Sequence, residues 1–167
     1  MRGLALLLWA CGAVAALLLW RLFVPLMPAD AAASSMAVRL GMASALLLPG
    51  AFVLAAMILA QMLGRLATGA TDPLVGRESR FLLVNQRVID NTIEQTLLFL
   101  PGFLALAAGV SAVHLPEVLA LAPVFAAARL AFWAGYLVTP MARAPGMVAT
   151  YATNVATLVA AAWFWLN

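Results

Sequence analysis

Polar residues only punctuate this chain, and they divide it into five apolar segments. The first runs from Gly3 to about Met27; it is apolar for eighteen residues, meets Arg21, and closes near Pro25 and Pro28. The second runs from about Arg39 to Arg65, and Pro49-Gly50 inside it predicts a kink. The third spans about Phe81 to Val110, with Pro101-Gly102 as a second expected kink. The fourth runs from about Glu117 to Val138, and the fifth follows a tight turn, Thr139 to Pro145, and ends at Leu166. The connecting stretches read as loops. Met27–Ala37 is rich in small residues with Asp30, Ser34 and Ser35; Gly64–Arg80 carries the turn chemistry of Asp72-Pro73 and Gly76; a short loop holds His114 and Pro116. A bilayer core about 30 Å thick takes roughly 20 apolar residues per helix. Helical crossings therefore use up the whole chain.

Composition agrees with that pattern. Of 167 residues, 66% are hydrophobic and 9% charged, against roughly 45–50% and about 25% in soluble domains. A soluble globular domain, a disordered chain and a free nucleic-acid binder are excluded. The net charge is +3, but the nine basic residues form no run, and all are Arg. Arg keeps its charge in poor solvent and grips carboxylates with two donors. The single Cys11 excludes an intrachain disulfide, and with one His it leaves no zinc set.

Arg2 ahead of a Leu/Ala-rich run also fits a cleaved leader, and Leu8-Trp9-Ala10-Cys11 resembles a lipoprotein site. The apolar run continues past both cut points, as a spanning helix requires. Trp163 and Trp165 fit an interfacial aromatic belt. A cytoplasmic N-terminus places Arg2, Arg65, Arg77, Arg80 and Arg143 inside and Arg21 and Arg39 outside, which obeys the positive-inside rule. The expected location is a bacterial inner membrane, crossed several times.

The third segment opens with polar residues that an ordinary span would not carry. Arg87, Asn91 and Glu94 stand at i, i+4 and i+7 and share one helical face, with Asp90 beside them. Ionisable groups at membrane depth face a bundle interior or a wet cavity. A guanidinium, an amide and a carboxylate together suit a zwitterionic, peptide-like ligand. An Arg87–Glu94 pair that glues helices, or a solvent-exposed helix start at Asn85, Gln86 and Arg87, accounts for the same residues without a ligand. In the fourth segment Arg129 sits mid-helix and needs a partner, for which Glu94 or Asp90 is the natural candidate. Tyr136 lies two turns on, Arg143 follows in the turn, and Tyr151, preceded by Thr150, enters the fifth segment. Both tyrosines also suit interfacial positions, and Arg143 also suits a positive-inside residue.

The block Arg87-xxx-Asn91-xx-Glu94, then Arg129-(x5)-Gly135-Tyr136, then Arg143-Ala144-Pro145, resembles the MAPEG family, membrane-associated proteins in eicosanoid and glutathione metabolism. The resemblance covers about Arg39 to Asn167. It implies an all-α integral membrane fold: a four-helix bundle over residues 39–167, assembled as a homotrimer. Residues 1–28 form an additional N-terminal transmembrane helix without counterpart in that pattern. Enzymes of the family bind glutathione between subunits near the cytoplasmic side. Arg87, Asn91 and Glu94 match positions that contact it, and Tyr136 matches a tyrosine of the same site. Arg129 matches a buried arginine, Arg65 an arginine that closes the pocket, and Tyr151 an aromatic of the last helix. Arg143 matches the arginine that activates the thiol; in an alternative register that position falls on Met147. Asp90 stands where some enzymes carry a basic residue.

The implied function is a glutathione-dependent transferase or peroxidase, with Arg143 catalytic, acting on a lipophilic small-molecule substrate partitioned in the bilayer, with membrane lipids as partners and with no metal and no nucleic acid. A second reading is a non-catalytic lipid-binding or scaffold protein, since some family members present lipids to partners. A third is a proton or ion relay along Arg87, Asp90, Glu94 and Arg129, against which stands the lack of an inverted repeat. His114 and Glu117, three apart, are too few ligands for a metal centre.

Overall fold

The computed structural model describes residues 2–28, 35–70, 72, 76 and 78–167. Asp30, Ser34, Pro73 and Arg77 lie outside the described residues. The elements are α1 (Arg2–Phe23), a 3-10 turn (Val24–Leu26), α2 (Met36–Leu46), α3 (Leu48–Thr68), α4 (Arg80–Gly109), α5 (Leu115–Leu119), α6 (Leu121–Val138) and α7 (Ala144–Leu166). Five stretches are long and apolar enough to cross a membrane: Leu6–Leu26, Met36–Thr68, Arg80–Gly109, Leu115–Val138 and Ala144–Leu166.

Two of the spans carry a one-residue joint that keeps helical dihedrals, and proline explains where. The joint between α2 and α3 falls at Leu47, with Pro49 in the first turn of α3. A proline is tolerated in a first turn, where no intrahelical donor is needed, so the joint precedes it. Pro123 likewise cannot donate to the carbonyl four residues back, and α5 gives way to α6 at Ala120. The sequence predicts one segment from about Glu117; the structure starts it at Leu115 and divides it. Pro101 lies inside α4, which stays helical from Arg80 to Gly109. The polar stretch expected from Gly64 begins as helix, since α3 continues to Thr68 and closes on Gly69 at φ 66°, a left-handed conformation that glycine adopts without penalty.

The helix ends fix the topology. Ser79 caps α4 by accepting from Leu82 N at 3.3 Å. At the other end of α4, Arg39 donates from Nε to Ala107 O (3.1 Å) and from Nη2 to Ala108 O (2.7 Å). A cation on the last carbonyls complements the negative end of the helix. Trp20 Nε1 donates to Glu117 O at 2.8 Å and ties the end of α1 to α5. The spans therefore alternate in direction. One end of the bundle, here the near end, gathers the start of α1, the end of α3, the start of α4 and the α6–α7 turn. The far end carries Arg39, His114 and Glu117.

The core has two main parts. At the far end Phe99 stacks between Phe103 and Phe125, with ring centres 5.0 and 4.6 Å apart. Nearer the other end Val53, Met57, Val88, Ile89 and Phe132 pack together. Outward residues of α3 such as Phe52, Met62 and Leu66 are apolar, as lipid contact demands. Between α6 and α7 the backbones nearly touch: a Cβ on Gly146 would lie 2.3 Å from Phe132 N. Helix α1 leans on α7 in the same way, since a Cβ on Gly12 would lie 2.5 Å from Pro145 O. Small residues allow such approaches, which dispersion then stabilises.

Candidate functional site

Helix α6 turns Phe125, Ala128, Arg129 and Phe132 toward the core, and Arg129 is only 1% exposed. Its guanidinium donates from Nη2 to Thr92 Oγ1 (2.8 Å) and Asn91 Oδ1 (3.2 Å), from Nε to Thr92 Oγ1 (3.2 Å), and from Nη1 to Thr150 Oγ1 (3.4 Å). Its Cζ stands 4.2 Å from the centre of the Phe132 ring. Among the described residues no carboxylate is within ion-pair distance of it. The expected partnership with Glu94 or Asp90 is thus replaced by hydroxyls, an amide and a ring face. The threonines can serve because each gives its own proton to a helical carbonyl: Thr92 to Val88 O (2.7 Å) and Thr150 to Gly146 O (2.9 Å). Their lone pairs are left to the cation.

The link to Glu94 is indirect. Asn91 accepts from Arg129 and donates from Nδ2 to Glu94 Oε2 at a long 3.4 Å. Arg87, Asp90 and Glu94 all lie on the exposed face of α4, and Asn91 sits at its edge. No Arg87–Glu94 ion pair forms among the described residues. Asp90 accepts from Gln86 Nε2 at 2.9 Å. The stripe therefore points away from the chain's own core, with one edge joined to the buried guanidinium.

At the near end Arg143 stacks on Tyr136, its Cζ 4.2 Å from the ring centre. Tyr136 meets Phe132 edge-on, with centroids 5.8 Å apart, and Phe132 in turn carries Arg129. Met147, the alternative to Arg143, packs against the core around Val53 and Phe132. Tyr151 follows Thr150 on α7 and is 43% exposed.

A family model, described as the MAPEG family, matches residues 6–163. The chain belongs to the MAPEG family. The match takes in α1 as well as the later spans, whereas the resemblance read from the sequence covers only about Arg39 onward. No match was found among curated proteins or among solved structures. Family and spans together make this MAPEG protein a multi-pass integral membrane protein with a helical-bundle fold.

Not every candidate of this MAPEG protein gathers at Arg129. Arg65 forms an ion pair with Glu78 at 2.8 Å. It lines a cavity of about 260 Å³ with Gln61, Gln86 and Ile89, on the flank of α4 that faces α3. Arg87 is on the open face. Asn85, which the alternative of a solvent-exposed helix start would leave open, is fully buried. It donates to Met57 O and Gln61 Oε1, both at 2.9 Å, and accepts from Trp133 Nε1 at 2.8 Å. Gln95 and Asn154 form a similar buried pair at 2.9 Å. Sequence reading missed Thr92 as a partner and did not use Thr150. The available signal was a buried arginine short of acceptors beside threonines at helical spacing.

Proposed function

We propose that this MAPEG protein is a glutathione-dependent transferase or peroxidase acting on lipophilic substrates. The observation that carries the reading is the chain Arg129–Asn91–Glu94, which joins a buried cation to an uncovered polar stripe. Arg87, Asp90 and Glu94 stand exposed on a helix long enough to span a bilayer. Charges at that depth are costly unless something polar covers them. A neighbouring subunit with a zwitterionic ligand between the two would do so, which favours a homotrimer.

The residues fit glutathione. Arg87 can hold a carboxylate and Glu94 an ammonium, while Arg129 fixes the orientation of Asn91 between them. Asp90 is the departure, and Gln86 engages its carboxylate on the side toward α3. Glutathione would supply a thiol nucleophile. Arg143 can hold that sulfur in its anionic form by a charge-assisted hydrogen bond, and the Tyr136 ring keeps the guanidinium in place. Arg65 and Tyr151 would serve at the margins of the site, on the subunit boundary. With Arg65, Arg80 and Arg143 at the near end, the reading puts that end in the cytoplasm of a bacterial inner-membrane protein.

The test is calorimetric titration of the detergent-solubilised protein with glutathione, followed by turnover with a lipophilic electrophile. Binding is expected, and Arg143→Ala should abolish turnover while binding persists. Unchanged rates in Arg143→Ala would defeat its role. The extra carboxylate of Asp90 favours the second reading, a non-catalytic lipid-binding or scaffold protein, and absence of glutathione binding would select it.

A further inference from the structure

Helix α1 touches α7 at one level and then leaves it. At Gly12 the two backbones are in contact through Pro145. At Trp20 the indole is held instead by Glu117 O on α5. Between the upper half of α1 and α7 opens a wedge of about 940 Å³, within the roughly 300–1,000 Å³ range of small-molecule sites. Leu17, Leu106, Leu121, Val124, Ala156 and Ala160 line it. The hydroxyl of Thr153, also in the wall, is spent on Ala149 O at 2.8 Å. Other polar groups collect at the far-end mouth: Ser111, His114 and Glu117, flanked by Trp20 and Trp163.

We propose that this wedge holds one acyl chain of an amine-bearing zwitterionic phospholipid, with its headgroup at Ser111, His114 and Glu117. The wedge lies between membrane-crossing helices, closes on backbone at Gly12 and opens at the end of the bundle. An amphiphile therefore enters tail first and leaves its head in the interfacial layer. At its closed end, where Gly12 meets Pro145 backbone to backbone, the wedge has no room for a helix of a second copy, which is about 10 Å across. The mouth selects the head by charge. Glu117 can accept from an ammonium, while Ser111 and the His114 imidazole can donate to the phosphate. His114 Nδ1 is 3.4 Å from Glu117 Oε2, so the pair already sits as a matched acceptor and donor. A carboxylate at the mouth disfavours an anionic head, and two tryptophans suit the headgroup level. The site lies at the opposite end from the Arg143–Tyr136 stack and stands independently of the glutathione reading.

The test is native mass spectrometry of the full chain released from nanodiscs of palmitoyl-oleoyl phosphatidylethanolamine or the matching phosphatidylglycerol. One phosphatidylethanolamine per chain should be retained in preference to phosphatidylglycerol. Ala156→Trp or Ala160→Trp, which fills the wedge, should cut retention by about tenfold, a change of about 1.4 kcal/mol. Val113→Trp, at a position 81% exposed and outside the wedge, should leave retention unchanged. Glu117→Gln should reduce the preference between headgroups. Equal retention by the filled variants overturns the proposal, as does a wild-type chain that keeps no lipid. Loss of oligomer in Ala160→Trp with lipid retention unchanged would instead assign the wedge to a subunit contact. Should both filled variants fail to fold, quenching of wild-type tryptophan emission by brominated-chain phosphatidylethanolamine decides. Quenching no stronger than with brominated phosphatidylglycerol then overturns it.

Discussion

The Arg143 guanidinium stacks face-on over Tyr136, seven residues earlier and across the α6–α7 turn. The turn that permits this is tight, since a Cβ on Gly135 would lie 2.3 Å from Ala142 O. A cation over an aromatic face contributes about 0.5–1 kcal/mol where exposed and roughly 2 when desolvated.

On the proposed glutathione-dependent activity, Tyr136→Leu should therefore lower kcat/KM by about threefold to tenfold, and Tyr136→Phe, which keeps the ring, should change it little. Steady-state rates of the two variants side by side are the check. Equal losses would shift the role to the phenol oxygen.

Removing the threonine beside Arg129 should hurt stability more than removing the arginine. Thr92→Val strips the guanidinium of its shortest hydrogen bond, at 2.8 Å, and of a second at 3.2 Å, a loss of about 1.5–3 kcal/mol for a charged donor. Arg129→Met removes the cation, while Thr92 and Thr150 keep their bonds to helical carbonyls. Because the partners of the guanidinium are neutral hydroxyls and an amide, its removal leaves no uncompensated buried charge. Thermal midpoints in detergent should rank Thr92→Val below Arg129→Met; the opposite order would refute this account.

Asn85→Leu should orphan both the Trp133 indole N–H and the Gln61 carbonyl. The expected cost is about 1–3 kcal/mol, read as a lower unfolding midpoint. The Trp133 contribution to fluorescence, taken as the difference from Trp133→Phe, should shift as well. An unchanged spectrum would mean that the indole has no bond to lose.

Two glycines should answer oppositely to alanine. At Gly146 the added carbon would meet Phe132 N at 2.3 Å and Ala128 O at 2.8 Å, both backbone atoms, so the α6–α7 crossing must open at about 1–3 kcal/mol. At Gly41 nothing lies within 4 Å, and alanine should gain up to about 1 kcal/mol of helix propensity. Melting curves of the two variants decide.

The spans were legible in the sequence because lipid forces apolar runs of a set length, and α3, α4, α6 and α7 end close to where the pattern ends. The joint at Ala120 was less so: Pro123 sits in an apolar run that hides the lost donor. The face of Arg87, Asn91 and Glu94 followed from helical spacing. Spacing cannot say what a face meets, so it leaves an exposed helix start open for Asn85, which is buried against α3 and α6. For Arg129 the charges drew attention to Glu94 and Asp90. In the folded bundle neutral threonines are nearer, and a hydroxyl already bonded to its own helix costs little to bury.

The two joints, at Leu47 and Ala120, both flank the far-end core, which includes Leu115 and Leu119 and against which Leu46 and Leu47 pack. Helices α4, α6 and α7 run unbroken past Arg129. Both joints keep helical dihedrals, so each proline removes one internal donor without redirecting its span, and Arg39 still latches α2 onto the last carbonyls of α4.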